Sequence, residues 1–448
     1  MKEREKSMHR SDGCSLDRVA GVGPAEPFGP VRRRLASPWS NRRTIYTPRR
    51  ECEMAETEAY TTESHMEETD ADTTGSETES YTTDTDSVPE LTPEEMARLL
   101  EPDPELTEDE KALRALHLVC CRELTEYDPK SKAYVCTRFS SFNIALFDLD
   151  EESEATHGPP LQELTNSQWR SIHEASVNVI SLKVIQSDVG YPINVFGTVL
   201  ARDEVDYKCV YLFRRDRDNS QYIESPEDML TLTGPSRGLI VSDTIFFEIN
   251  LKIRGNVVTD DKDFSKGVIE HYIVPLAKGP KTELLTSWLS TVELVLAPAP
   301  YAVAATVKIN ILNGPCDPPF RGKVTAWTAG DAETHIILHD YGNKAMDDFR
   351  LIKDGGSIAL SRNLVAVPVP NYLYDEYEEI VLTVCFTTSD DEDECTSVTL
   401  QYPQEEKVCN HGSYELKVEV TWTSILEGPF GTDIDKRWSS VPQKLLLF

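Results

Sequence analysis

Charged side chains are concentrated in two clusters that flank a short apolar stretch, at residues 202–207 and 214–219. Paired arginines bind carboxylates or phosphates through charge-assisted, bidentate hydrogen bonds, so the clusters could form a ligand or partner site. The same charges could instead form a network of ion pairs that stabilises this corner of the fold. The candidate binding residues are Arg202, Asp203, Asp206, Arg214, Arg215 and Arg217.

Metal-binding patterns are weak. His335 and His339 have a spacing that would suit one metal ion on a helix. The β-branched residues between them favour a strand, in which the two rings would lie ~13 Å apart, too far for one zinc ion. Cys385, Cys395 and Cys409 could meet in space, but they lack the paired spacing of a structural zinc site. We therefore expect no metal and no cofactor.

Catalytic motifs are also missing. The chain has no phosphate-binding glycine loop, no dinucleotide-binding fingerprint, no nucleophile elbow and no zinc-protease motif. We assign no catalytic residue, and the balance leans away from an enzyme.

The ten cysteines and the absence of a secretory h-region favour reduced thiols over a disulfide framework. The chain also lacks the ~18 consecutive apolar residues that a membrane span needs. These features predict a cytoplasmic or nuclear protein that is neither secreted nor inserted in a membrane.

The net charge of −32 is unevenly distributed along the 448 residues. Residues 1–50 carry 12 basic and 5 acidic side chains, residues 51–160 carry 7 and 30, and residues 161–448 carry 26 and 42. The acidity of the main body argues against nucleic-acid binding there, because Lys and Arg supply most of the affinity for phosphate backbones. The basic stretch 1–50 is predicted to be a disordered tail; a nuclear import signal within it, or translation starting at Met54, are alternatives.

An acidic region follows at residues 51–105. Its first forty residues contain 14 Asp and Glu and no Lys or Arg, with almost no large aliphatic side chains. Such a composition cannot bury enough apolar surface to fold, so this region is predicted to be a disordered interaction tail.

Residues 106–160 are predicted to form a helix and a linker. Thr107 and Glu110 fit a capping box, and apolar residues recur behind them at spacings of three and four over 108–126. The apolar face of this helix must either dock on the main domain or bind another protein.

The main body, residues 172–425, alternates apolar and polar residues with a period of two, and residues 426–448 form a C-terminal tail. Turn residues separate many short strands, which predicts a mostly β domain, an antiparallel β-sandwich or barrel-like fold. Residues 281–288 are the one stretch that could form a short helical turn. Because ~250 residues is large for a single sandwich, two parts divided near residues 276–300 are the alternative.

Several collinear motifs in the body resemble a known family. They are Tyr191-Pro-Ile-Asn-Val-Phe-Gly197, Ala201-Arg-Asp203, Leu232-Thr-Gly-Pro-Ser-Arg237, Phe247-Glu-Ile-Asn-Leu-Lys-Ile-Arg-Gly255 and the strand that ends in Trp422. Together they resemble an uncharacterised domain family expanded in grasses, which in some cereal jasmonate-induced proteins lies beside a ribosome-inactivating domain. The resemblance implies no established activity, and depurination is not expected because the region before the body is too short for an N-glycosidase.

Two functions follow from these features. The first is a non-enzymatic interaction or regulatory module that binds a protein partner through the acidic tail or the 108–126 helix. The resemblance implies a role in plants, related to stress or defence. The alternative is a small-ligand-binding or hydrolytic enzyme with a pocket at the charged clusters, which a deep pocket there would favour.

Overall fold

The computed structural model describes residues 107–145, 147–165, 175–241, 243–272, 279–315, 320–329, 331–341, 356–370, 379–388 and 395–426. The predicted basic tail (1–50), acidic region (51–105) and C-terminal tail lie outside the described residues, apart from residue 426. Within the described part, one α-helix is followed by eighteen strands, and every strand pairing is antiparallel. The mostly β prediction is confirmed.

The helix α1 spans Glu108–Glu123 and begins at the predicted capping box. The backbone N–H of Glu110 donates to Thr107 Oγ1 over 3.3 Å, and the backbone N–H of Thr107 donates to Glu110 Oε2 over 2.8 Å. These two bonds satisfy N–H groups that a helix start leaves without intrahelical acceptors.

The strands fall into a two-stranded ribbon and two larger groups. The ribbon is β1 (Thr125–Asp128) and β2 (Ala133–Cys136). The first group is β3 (Ser176–Ser187), β4 (Ile193–Arg202), β5 (Val210–Arg215), β6 (Gln221–Ile223), β7 (Thr244–Ile253), β8 (Lys262–Tyr272), β9 (Lys281–Ser287) and β10 (Ser290–Ala299). The second group is β11 (Ala302–Asn313), β12 (Gly322–Thr328), β13 (Asp331–Asp340), β14 (Leu364–Pro368), β15 (Val381–Thr388), β16 (Cys395–Gln401), β17 (Glu406–His411) and β18 (Tyr414–Ser424).

Each group forms a sandwich of two sheets. In the first sandwich, the sheet β3-β10-β9 encloses one apolar core with the sheet β5-β4-β7-β8, to which β6 is added at β4. In the second sandwich, the sheet β14-β11-β18-β17 encloses a separate core with β13-β12-β15-β16. The sheets are thus layered rather than closed into a barrel, and the chain passes from one sandwich to the other between β10 and β11.

Polar side chains connect the two sandwiches. Asn178 of β3 donates to the carbonyl of Ala366 over 2.7 Å and accepts from its N–H over 2.9 Å. The side-chain amide of Asn178 therefore makes the two hydrogen bonds with Ala366 of β14 that a neighbouring strand would otherwise make. Arg362 donates to the carbonyls of Val179 and Ile180 on β3, the second over 3.0 Å. These bonds to main-chain groups add to a buried apolar cluster between the sandwiches, which includes Ile240, Ala299, Ala304 and Leu364.

Residues 137–165, called the strap below, lie along both sandwiches where a linker was expected. Gly158 donates to the Ser424 carbonyl over 3.0 Å, and Ser424 donates back to the Pro159 carbonyl over 3.1 Å. Leu161 is fully buried in the second core. A Cβ on Gly158 would lie 1.7 Å from Ser424 Oγ, so the strap can approach this strand only with glycine there.

Three local predictions were wrong. Residues 281–287, expected to form a helical turn, form strand β9. The short apolar runs at 237–242 and 357–361 predict two further strands, but residues 237–241 and 357–361 make only single bridges, between Ile240 and Ser176 and between Ser357 and Asn310. These apolar runs are buried by the sandwiches without joining a ladder.

Candidate functional site

The charged corner, residues 202–219, contains an arginine at the end of β4 that is fully buried. Arg202 forms a bidentate pair with Glu248 of β7, with Nε to Oε1 at 2.9 Å and Nη2 to Oε2 at 3.1 Å. Its remaining donors reach main-chain carbonyls, Tyr207 at 2.8 Å and Leu149 of the strap at 2.5 Å. Four of the five N–H donors of this guanidinium are therefore bonded to other groups of the protein.

The apolar–polar alternation around Ile245–Ile253 predicts that Glu248 lies on the solvent face of its strand, and this prediction is wrong, because only 5% of the residue is exposed. The strap covers this face of β7. The backbone N–H of Phe139 donates to Glu248 Oε1 over 2.7 Å, and Arg138 approaches Oε2 at 3.4 Å. The alternation along β7 correctly marked the core side but could not reveal that a second layer covers the other.

Asp203 forms the second buried pair. Its carboxylate accepts from Arg237 Nη1 at 2.5 Å and Nη2 at 2.8 Å, and from the N–H of Ile240 at 2.9 Å. Arg237 also donates to Ser153 Oγ of the strap, over 3.1 Å from Nε. Burial by itself would lower the pKa of Arg237. The attraction to the Asp203 carboxylate is stronger than this effect and holds the pKa of Arg237 above its ordinary value.

Asp206 lies beside this pair. It accepts from Ser153 Oγ at 2.9 Å and from the N–H of Lys208 at 3.0 Å, and Arg237 Nη2 is 3.7 Å away. Burial raises the pKa of Asp206, and the negative charge of Asp203 raises it further. Asp206 is thus the acid of the corner whose charge is disfavoured by its surroundings.

The other three candidate residues face separate partners. Arg214 is about half exposed and pairs with Glu152 at 2.6 Å. Arg215 donates to Asn219 Oδ1 at 2.9 Å, and Arg217 donates to Asp261 at 2.8 Å. The structure therefore brings Arg202, Asp203 and Asp206 to one place under the strap. Arg214 contacts the strap only at the surface, through Glu152, and Arg215 and Arg217 have partners outside it.

The family assignment rests on the same stretch of chain. The model of a domain of unknown function, DUF6598, matches residues 176–421, more than half of the chain. The chain belongs to this family. The match begins after the strap, so the corner of the DUF6598 domain is completed by residues that precede the matched region.

Other comparisons add little to this assignment. No curated protein matches the chain. Among solved structures, human GIVD cytosolic phospholipase A2 aligns with 8% identity and a TM-score of 0.17, over 55% of this chain and 32% of that one. A similarity this low carries no argument about fold or activity. In the described residues, no helix is long and apolar enough to cross a membrane.

The histidines and cysteines of the DUF6598 domain that the structure describes form no metal site. Among the residues that the structure describes, no group of three or more His, Cys, Asp or Glu could hold a metal ion. His335 stacks on Trp327, whereas His339 bonds to the Ala359 carbonyl at 2.9 Å and has its pKa lowered by burial. In contrast to the expected reduced thiols, Cys385 and Cys395 form a disulfide across β15 and β16.

A cleft of about 350 Å³ lies between the two sandwiches, away from the corner. Its walls come from β3 and residues 222–232 of the first sandwich and from β12, β13 and residues 361–362 of the second. None of the six candidate residues lines it. The most buried charged residue of the cleft, Arg362, could not be predicted from the sequence, because a single arginine between two strands gives no pattern.

Proposed function

We propose that the chain is a non-enzymatic interaction module in which the two sandwiches are a scaffold and the segment before them binds a protein partner. The corner supports this proposal, since its buried charges bind one another and the strap. The alternative, a small-ligand-binding or hydrolytic enzyme at this corner, gains no support from the geometry. Arg202 and Asp203 are occupied by groups of the same chain.

The observation that carries the proposal is the apolar outer face of α1. One side of this helix faces the domain: His117 is buried and its Nδ1 accepts from the N–H of Ile144 at 3.2 Å. On the other side, Leu116 and Val119 are 45% and 53% exposed. We define the outer face as the exposed apolar residues of the helix, Ala112, Ala115, Leu116, Leu118 and Val119.

Charge indicates the kind of partner. The region 51–105, directly before α1 in the chain, is strongly acidic, and its first forty residues have no basic side chain. A partner that fits has an apolar groove for the outer face and basic residues beside it. Apolar contact would supply affinity, and the acidic region would raise the association rate in a salt-dependent way.

The test compares two double variants of the full chain. Leu116→Gln with Val119→Gln makes the outer face polar while keeping good helix formers. Val257→Gln with Val258→Gln is the matched control, because these valines are 55% and 69% exposed on a distant loop. Proteins recovered with the wild type from native extract are purified, and their affinity for each variant is measured.

We expect the outer-face variant to bind about tenfold more weakly or worse, as for truncation of interface anchors, and the control to bind like the wild type. Equal loss in both variants, or no loss in either, would contradict the proposal. Deleting residues 51–105 should reduce the association rate at low salt and have little effect at high salt.

The resemblance to a grass-expanded family motivates the narrower proposal that this module acts in plants, in stress or defence, and in the cytoplasm or nucleus. Localisation of a tagged full-length chain in plant cells tests whether the protein lies in the cytoplasm or nucleus. Secretion of the tagged protein would contradict it.

A further inference from the structure

The cleft between the sandwiches contains a buried arginine without a carboxylate partner among the described residues. Arg362 donates from Nε to the Ile337 carbonyl at 2.8 Å, and from its two terminal nitrogens to the carbonyls of Val179 and Ile180. Burial lowers its pKa to about 10, so it keeps its charge at neutral pH. A guanidinium has five N–H donors, and these bonds use three of them.

A second cation lines the same cleft. Lys323 lies on β12, and no ion pair of its ammonium occurs within the described ranges. Asp340 lies opposite it on β13. Two positive groups of the second sandwich therefore face a cleft that the first sandwich closes.

Four acidic residues line the cleft, and two of them are engaged with other groups of the chain. Asp228 accepts from the N–H groups of Glu224 and Ser225, at 2.6 and 3.1 Å, and so stabilises its own turn. Glu227 pairs with Lys183 at 3.7 Å. The carboxylates of Asp228 and Glu227 thus have partners of their own, whereas the guanidinium of Arg362 retains donors.

The rest of the lining mixes apolar side chains with Ser181, Tyr222, Glu224, Thr231 and Ser361. Ile180, Met229, Leu230, Leu232 and Ile337 contribute to the walls. A volume of about 350 Å³ lies at the small end of ligand sites, which combine apolar walls with a few placed polar groups. A ligand that fits has an apolar body and one anionic group.

We propose that this cleft binds a small organic acid, whose carboxylate or phosphate is held by Arg362 and Lys323 and whose apolar part packs between the sandwiches. Arginine suits this role because its planar donors match the oxygens of either group. The site is independent of the outer face of α1, so either proposal can fail alone.

The test uses the full-length chain and three probes: 3-phenylpropanoate, its neutral amide and phenyl phosphate. Binding is measured by ligand-detected NMR and titration calorimetry. We expect the carboxylate probe to bind with a Kd on the order of 0.1–1 mM, and the amide to bind at least about tenfold more weakly. Tighter binding of phenyl phosphate would assign the ligand to the phosphate esters.

Three variants locate the binding. Lys323→Gln should weaken the carboxylate about fivefold, and Arg362→Gln should abolish its binding. Lys308→Gln is the control, since this lysine is 63% exposed on β11 and does not line the cleft. Arg362 also joins the sandwiches, so Lys323→Gln keeps the test decisive if Arg362→Gln fails to fold. Absence of probe binding, equal affinity for acid and amide, or unchanged affinity in Lys323→Gln would overturn the proposal.

Discussion

Two buried arginine–carboxylate pairs, Arg202–Glu248 and Arg237–Asp203, join segments that are far apart in sequence. The partners are separated by 46 and 34 residues. Charge density along the chain pointed to Arg202 and Asp203, but their partners stand alone, Glu248 in an alternating strand and Arg237 in a turn. The partners could not be predicted because nothing in the local sequence encodes which distant side chain arrives beside a charge.

Removing one member of the Arg237–Asp203 pair should strongly destabilise the fold. Arg237→Ala leaves the Asp203 carboxylate buried without its cation, and we expect the free energy of unfolding to fall by about 3–5 kcal/mol. Arg214→Ala is the matched control, because its pair is exposed and should contribute only about 0–1 kcal/mol. Chemical denaturation measures both values. Similar small changes in the two variants would show that the buried pair adds no stability.

Asp206 should make stability depend on pH. Its pKa is raised in the folded state by burial and by Asp203, so the folded chain binds this proton more tightly than the unfolded chain. Between the ordinary carboxyl pKa and the raised value, stability therefore decreases as pH rises. Asp206→Asn should remove this contribution while keeping an acceptor for Ser153 and Lys208. Unfolding free energies of wild type minus variant, measured across that window, should show the slope; a flat difference would contradict it.

At the scale of elements, alternation predicted the strands that have one face in a core. In β7, Ile245, Phe247, Ile249 and Leu251 are all fully buried, as expected. Strand β9 was missed because it is an edge strand with mostly exposed residues, including Leu284 at 56% exposure. Residues 239–241 show the opposite case: their apolar side chains predict a strand, but they are buried without pairing in a ladder. Burial and strand pairing are separate properties, and sequence patterns report mainly the first.

The capping box should control the stability of α1 alone. Thr107→Ala removes the side-chain acceptor for the Glu110 N–H and should destabilise the helix by about 1 kcal/mol. Hydrogen exchange of residues 108–123 should accelerate, while exchange in β7 stays unchanged. Thr259→Ala is the control, because its hydroxyl contacts only the neighbouring Asp260. Equal exchange in wild type and Thr107→Ala would show that packing on the domain alone holds the helix.

At the scale of the whole molecule, the strap joins both sandwiches. It donates to or accepts from Glu248, Arg202 and Arg237 in the first and inserts Leu161 into the second. The length of the body predicts two parts as an alternative, whereas the composition of the strap predicts a linker. The strap is rich in acidic and proline residues, as linkers are. It makes its contacts through main-chain groups and a few side chains, so its composition does not reveal them.

Leu161 should therefore be essential although it precedes the matched domain. Leu161→Ala opens a cavity in the second core, and we expect a loss of about 2–5 kcal/mol. Leu284→Ala on the exposed side of β9 should change stability by less than about 0.5 kcal/mol. Denaturation followed by tryptophan fluorescence compares them. A loss in Leu161→Ala as small as in the control would mean that the strap does not contribute to the core.

The pairing of Pro160 with Thr423 has a consequence for biosynthesis. A ribosome makes the strap about 260 residues before the strand that receives it, a delay of roughly 13–50 s at 5–20 residues per second. During that time the core that receives Leu161 is incomplete, so we expect this side chain to be accessible to chaperones and proteases. We expect chains that stop shortly before residue 414 to be degraded faster than full-length chains, because only a finished chain can seat its strap.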